Sequence, residues 1–341
     1  MSRTRSAPYD VRGRTAFITG AARGIGKASA ERLHKKGANV ALVGLEPERL
    51  EENAAALGER AFFYEADVTD LDAMQDAVAA TVERFGGIDV AVANAGIAFI
   101  GALATAPVEQ VERTLAVNLL GVWRTDRAVI DQIIQRKGYL LNIASVAAVA
   151  HGPLMGPYTA TKAGVEAMSD ALRMESAPSG AQIGCAYFGF IDTDLVKASY
   201  ATSPAEILNK RAPAFIRNPA PLSSAVDAIE RGIERRSARV WAPRWVGPAL
   251  VLRGLFQPLT ERRLLREPGE LSEALRLADP ASGSVPEQDP LLGVAAQGLQ
   301  PTQSAPTAGG LTRRSPPTAS PGPAAQSLLR PPGRVRASPT R

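Results

Sequence analysis

Short apolar runs alternate with stretches of helical periodicity as far as about residue 241, and that alternation leaves few folds open. The runs are Thr15–Thr19, Asn39–Val43, Ala61–Glu65, Asp89–Ala93, Tyr139–Ala144, Gln182–Phe188 and Arg239–Trp241. Between them the spacing predicts helices over Gly24–Lys36, Pro47–Leu57, Asp70–Phe85, Val108–Arg136, Tyr158–Ser176 and Leu222–Arg236. Strands that read as continuous apolar runs, separated by helices, form a parallel sheet covered on both faces. The fold class that follows is α/β: a doubly wound, Rossmann-like parallel sheet in a three-layer α/β/α domain.

Composition sets the limits of that domain. Residues 1–10 read as a flexible N-terminus without the apolar stretch of a signal peptide, and residues 11–265 as the folded domain. Residues 281–341 hold 11 of the 26 prolines among Ala, Gly, Ser, Gln and Thr. Such a stretch buries too little apolar surface to offset the entropy of ordering it, so a disordered tail is expected there. The formal charge of +5 is mostly the tail's, where six arginines stand against Glu287 and Asp289. Basicity in a tail rather than on a folded face argues against nucleic acid as a partner. The single cysteine, Cys185, excludes an internal disulfide framework and fits a reducing, cytoplasmic setting. Two histidines and one cysteine predict no metal centre.

Residues 239–265 break the alternation. Trp241, Trp245 and Phe256 lie there among aliphatic residues, and Arg244, Pro248, Arg253 and Pro258 interrupt any run long enough to span a bilayer. Two readings stay open: packing over a substrate pocket, the favoured one, or a peripheral contact with a membrane surface.

Two motifs carry chemistry. The first run ends in Thr19-Gly20-Ala21-Ala22-Arg23-Gly24-Ile25-Gly26, and a helix begins at once. Glycines at a strand-to-helix turn let backbone N–H groups approach a pyrophosphate, although glycine also serves any tight turn. Further on, Tyr158 and Lys162 stand four apart on one helical face. A phenol ionises near pH ~10 and is a poor base until a neighbouring ammonium favours its anion. Ser145 closes the fifth run, where ligands gather in sheets of this kind, and Asn118 is an amide inside an otherwise apolar helix.

Together these motifs resemble the short-chain dehydrogenase/reductase family of the Tyr-x-x-x-Lys type, over roughly residues 10–240. Asp67-Val68 is similar to that family's adenine-contacting pair, and Asn94-Ala95-Gly96 to its motif bordering the cofactor. The resemblance implies an enzyme that moves a hydride between NAD or NADP and an alcohol or ketone. It implies a catalytic set of Asn118, Ser145, Tyr158 and Lys162, with Lys162 also on the nicotinamide ribose and Asn118 holding a water that links Lys162 to solvent. It implies cofactor contacts at Gly20, Arg23, Gly24, Ile25, Gly26, Ile191 and Thr193 as well. Phe188 stands where the family has proline before Gly189, which alters the local loop. Gly44 lacks the acidic group that holds NAD ribose, and Leu45 lacks the arginine that favours NADP. Arg23 could meet a 2′-phosphate and Glu46 could lean toward the ribose, so the choice stays open with a lean to NAD.

Residues 195–222 occupy the place of the family's substrate cover. Tyr200, Phe215, Pro204, Pro213, Pro219 and Pro221 there favour a lipophilic or cyclic substrate. His151 lies in a loop that could line the pocket. The resemblance also implies a homodimer or homotetramer through the long helices of residues 108–136 and 158–176. The rival functions are a dinucleotide-binding regulator of the same fold and a membrane-associated scaffold.

Overall fold

The computed structural model describes residues 7–200, 202–209, 217–266 and 268–282. Seven strands, β1 (Thr15–Thr19), β2 (Asn39–Gly44), β3 (Ala61–Glu65), β4 (Val90–Ala93), β5 (Tyr139–Ile143), β6 (Gln182–Phe188) and β7 (Arg239–Ala242), form one sheet. The order is β3-β2-β1-β4-β5-β6-β7, and every pairing is parallel. The order reverses between β1 and β4, which opens a crevice at the carboxyl ends of the strands.

The two-residue period of a strand divides its side chains between two cores. Ala16, Ile18, Val40, Leu42, Val90, Val92 and Leu141 face one side with Ala30 and Leu33 of α1 (Gly24–Lys35) and Leu50 and Ala54 of α2 (Pro47–Leu57). Phe17, Ala41, Val43, Ala91, Leu140 and Ile183 face the other with Met74, Ala77 and Val78 of α3 (Leu71–Phe85). The sheet's edges depart from the continuous apolar runs. On β3 the side chains are mostly half-buried, and on β7 Arg239 and Trp241 are exposed while Val240 and Ala242 are buried. An edge strand has a solvent side, so its side chains are covered less fully, and on β7 they alternate.

The expected single helix over 108–136 is interrupted. Residues Val108–Leu115 form α4, Ala116–Leu120 form a π-turn, and Gly121–Gln135 form α5. One extra residue per turn swings the side chain of Asn118 inward, where it is fully buried. The catalytic motif lies on α6 (Gly156–Ser176). After β6 come α7 (Asp194–Tyr200), α8 (Ser203–Asn209) and α9 (Leu222–Arg235). Phe215 and Pro213 lie outside the described residues.

Residues 239–265 do not cover the pocket. After β7 they form α10 (Val246–Val251) and α11 (Arg253–Leu264), and among the described residues none of them borders the crevice. Val246 and Ala249 pack beside Val165 and Tyr187 on the outer face instead. Trp245 lies behind the crevice rather than in it: a Cβ added at Gly189 would come 2.7 Å from its ring. Packing also continues past residue 265, where α12 (Pro268–Leu277) buries Ala274 with Ala102 and Leu154. Of residues 1–10, Tyr9 is held in place, its N–H donating to the Glu234 carbonyl at 2.7 Å and its ring lying under Arg14. The tail from 283 lies outside the described residues.

Candidate active site

A cleft of about 460 Å³ follows the carboxyl ends of the strands, and its floor is the turn after β1. Gly20 and Gly24 have positive φ (63° and 57°), a region that L side chains rarely adopt. A Cβ on Gly26 would collide with the Gly20 carbonyl, so this glycine closes the turn from beneath while Gly20, Arg23, Gly24 and Ile25 face the cleft. Asn94 fixes the turn: its Nδ2 donates to the carbonyls of Thr19 (3.0 Å) and Gly20 (3.2 Å). The backbone N–H groups of Asn94 and Ala95 both donate to Thr19 Oγ1, at 3.0 and 3.1 Å.

The N-terminus of α1 opens into this floor with no side-chain cap and no acid in its first turn. Unsatisfied N–H groups and the positive end of the helix dipole make it suited to an anion. Gly24 adds room, since the nearest atom to a Cβ there would be Thr193 Cγ2 at 3.9 Å. The residues present therefore fit the pyrophosphate of a dinucleotide. Asp67, Val68, Gly96, Ile191 and Thr193 line the same cleft. Asp67 is shaped by its own turn, accepting from the Thr69 N–H at 2.8 Å.

Glu46 lies against the glycine turn rather than out in solvent. It reaches back to Arg23, which donates from Nε to Oε1 at 2.9 Å and pairs through Nη2 with Oε2. Arg49 Nε lies 3.2 Å from the same carboxylate. Both partners of the Arg23–Glu46 pair line the cleft and are less than one-fifth exposed. The arginine's charge is thus already answered where a nucleotide ribose would lie.

At the other end stand Ser145, Tyr158 and Lys162. Ser145 Oγ accepts from the Ala147 N–H at 3.1 Å and donates to the Phe188 carbonyl at 3.2 Å. It therefore forms the turn as well as facing the cleft. Phe188 lines the cleft too, in the family's proline position. Lys162 Nζ donates to the Ile143 carbonyl at 2.9 Å and lies 5.6 Å from the centre of the Tyr158 ring. Burial raises the Tyr158 pKa above the usual phenol value, and a hydrogen bond with Ser145 pulls it back. Burial pushes Lys162 down to about 8. The sequence reading gave the lysine the main hold on the phenol; here burial dominates and keeps the hydroxyl protonated.

Asn118 is not on the cleft surface. Its Nδ2 donates to the Ile97 carbonyl and its Oδ1 accepts from the Ile97 N–H, both at 2.8 Å. A Cβ on Gly96 would come 3.1 Å from Asn118 Oδ1 and 3.7 Å from Lys162 Nζ, so the amide holds the Gly96 loop beside the lysine. His151 is exposed and away from the cleft, its N–H donating to Gln257 Oε1 at 2.8 Å. Sequence reasoning missed Arg113 of α4, and Leu195 and Val196 of α7, which also line the cleft. No motif marks Arg113; the α7 pair was legible only as part of a covering segment.

Known proteins share this plan. A 2-(R)-hydroxypropyl-CoM dehydrogenase of Xanthobacter autotrophicus is 38% identical over 192 residues, 54% of this chain and 77% of that one. A 3-ketoacyl-(acyl-carrier-protein) reductase from Brucella melitensis, solved with NADH, matches at a TM-score of 0.60 and 25% identity, covering 68% of this chain and 97% of its own. An alcohol dehydrogenase from the archaeon Thermococcus sibiricus, solved with 5-hydroxy-NADP, matches at 0.55 and 29%, covering 64% and 88%. The family model for short chain dehydrogenases matches residues 14–204, more than half the sequence, and the chain belongs to that family.

Proposed function

We propose that this dehydrogenase interconverts a lipophilic or cyclic alcohol and its ketone, using a nicotinamide dinucleotide and Tyr158 as general acid/base. One observation carries the reading: Ser145, Tyr158 and Lys162 share a single cleft with an uncapped, glycine-built helix terminus. When bound, the cofactor supplies the hydride in reduction and takes it up in oxidation.

The chain's own residues handle the proton and the charge. The Tyr158 hydroxyl faces the cleft, and in reduction it donates its proton to the carbonyl oxygen. Ser145 turns its hydroxyl from the Phe188 carbonyl to that oxygen as charge builds there. The Lys162 ammonium steadies the phenolate left behind and, with its Ile143 bond released, holds the ribose. Asn118 positions the Gly96 loop, and with both amide ends bound to Ile97, any water it holds for Lys162 is held by its main chain. Oxidation runs the same transfers backward.

NAD is the favoured dinucleotide. The Glu46 carboxylate neutralises Arg23 and would repel a 2′-phosphate. Leu195 and Val196 bring apolar side chains to the cleft, which supports a lipophilic substrate. Exposed Leu120 of the π-turn and Trp123 of α5 support a homo-oligomer, and the lone buried Cys185 suits a cytoplasmic setting. A screen of alcohols and ketones with NAD(H) and NADP(H) tests the activity. Tyr158→Phe is expected to lower kcat about 10²–10⁴-fold while dinucleotide binding, read by fluorescence, persists. A variant that keeps full turnover would overturn the assignment.

A further inference from the structure

Helices α10 and α11 lie outside the reaction cleft, and they expose several large apolar side chains. Val251 is 83% exposed, Leu255 64%, Leu259 63% and Leu265 69%. Leu255 and Leu259 stand one turn apart on α11, which places them on the same side of the helix. The segment is not loose: Arg253 Nη1 lies 3.1 Å from both carboxylate oxygens of Glu166, and Gln257 accepts from the His151 N–H. One side is anchored to the fold, and the other presents leucines to solvent.

Charge is concentrated on this same segment. Residues 239–266 hold six arginines and one acid, Glu261, whereas residues 1–238 carry slightly more acid than base. Asp170 and Glu166 answer Arg239 and Arg253. Arg244 is exposed near the start of the segment, and Arg262, Arg263 and Arg266 are exposed together at its end, beside Leu265. Exposed leucines edged by arginines narrow the choice of occupant. The basic stretch 281–341 of this chain has the same sign of charge and is disfavoured. A twofold contact between two copies of this face would set arginine cluster against arginine cluster. An anionic lipid surface matches both halves of the pattern, apolar side chains entering the interface while arginines meet headgroups. Among the described residues no helix is long and apolar enough to cross a membrane, so the contact is one of lying on the surface.

We infer that residues 246–266 dock this dehydrogenase peripherally on anionic phospholipid. The test is co-sedimentation of the full chain with vesicles of phosphatidylcholine alone and of phosphatidylcholine mixed with phosphatidylglycerol. Binding is expected only to the mixed vesicles, and it should weaken as salt is added. Leu255→Glu with Leu259→Glu, and separately Arg262→Glu with Arg266→Glu, should each lower binding about tenfold or more, with circular dichroism and turnover unchanged. Should the first pair disturb folding, Leu255→Ser with Leu259→Ser gives the same reading. Three results would overturn the inference: no binding to mixed vesicles at low salt, variants that bind as the parent does, or a parent oligomer that Leu255→Glu dissociates.

Discussion

The proposed lean toward NAD rests on one side chain, Glu46, that no motif marks. Sequence alone left it two roles, turning toward the ribose or sitting in the first turn of α2. The structure turns it onto Arg23, its carboxylate also 3.2 Å from Arg49 Nε. Glu46→Gln removes the repulsion and frees the arginine, so kcat/KM for NADPH is expected to rise about tenfold relative to NADH; paired steady-state assays check it. Tyr158, Ser145 and Lys162 were legible because their spacing is imposed by the helix and the strand end that carry them. The Arg23–Glu46 contact was not, because the two residues are 23 positions apart and only the parallel pairing of β1 with β2 brings them together. The depressed Lys162 and raised Tyr158 were hidden for a related reason: both shifts come from burial, which a sequence does not state.

Among elements, strand positions were read most faithfully, since an interior parallel strand is apolar on both faces and leaves little room for another assignment. The helix over 108–136 was read as continuous because a π-turn preserves the apolar content while shifting its phase within Ala116–Leu120. Its consequence is the burial of Asn118. Beyond it, α5 keeps Val122, Val129 and Ile133 inside, while Leu120 at the end of the π-turn and Trp123 on α5 lie outside, 43% and 46% exposed. If that face joins two subunits, Trp123→Glu places a charge in the joint and should convert the assembly to monomer in sedimentation velocity. The segment 239–265 was left between two readings, since composition alone does not reveal which part of the fold a helix will cover.

For the whole molecule, the buried acid Asp126 links folding to pH. It accepts from Asn142 Nδ2 at 2.8 Å, its Oδ1 has no partner, and burial pushes its pKa up to about 8. Between its ordinary value, near 3.8, and about 8 the folded state keeps a proton that the unfolded chain has released. Stability from this group is therefore fully present at the acid end and falls as pH rises, by up to about 1.4 kcal/mol per pH unit. Asp126→Asn should flatten that slope in denaturant titrations run from pH 5 to about 8. The reversal of strand order between β1 and β4 has a last consequence, for inheritance rather than energy. Glu46 and the glycine turn precede β4 in the chain, whereas Tyr158 and α7 follow it. If the two sets act independently, cofactor choice and substrate choice can each change without disturbing the other. Glu46→Gln should accordingly leave the ranking of alcohols and ketones as it was.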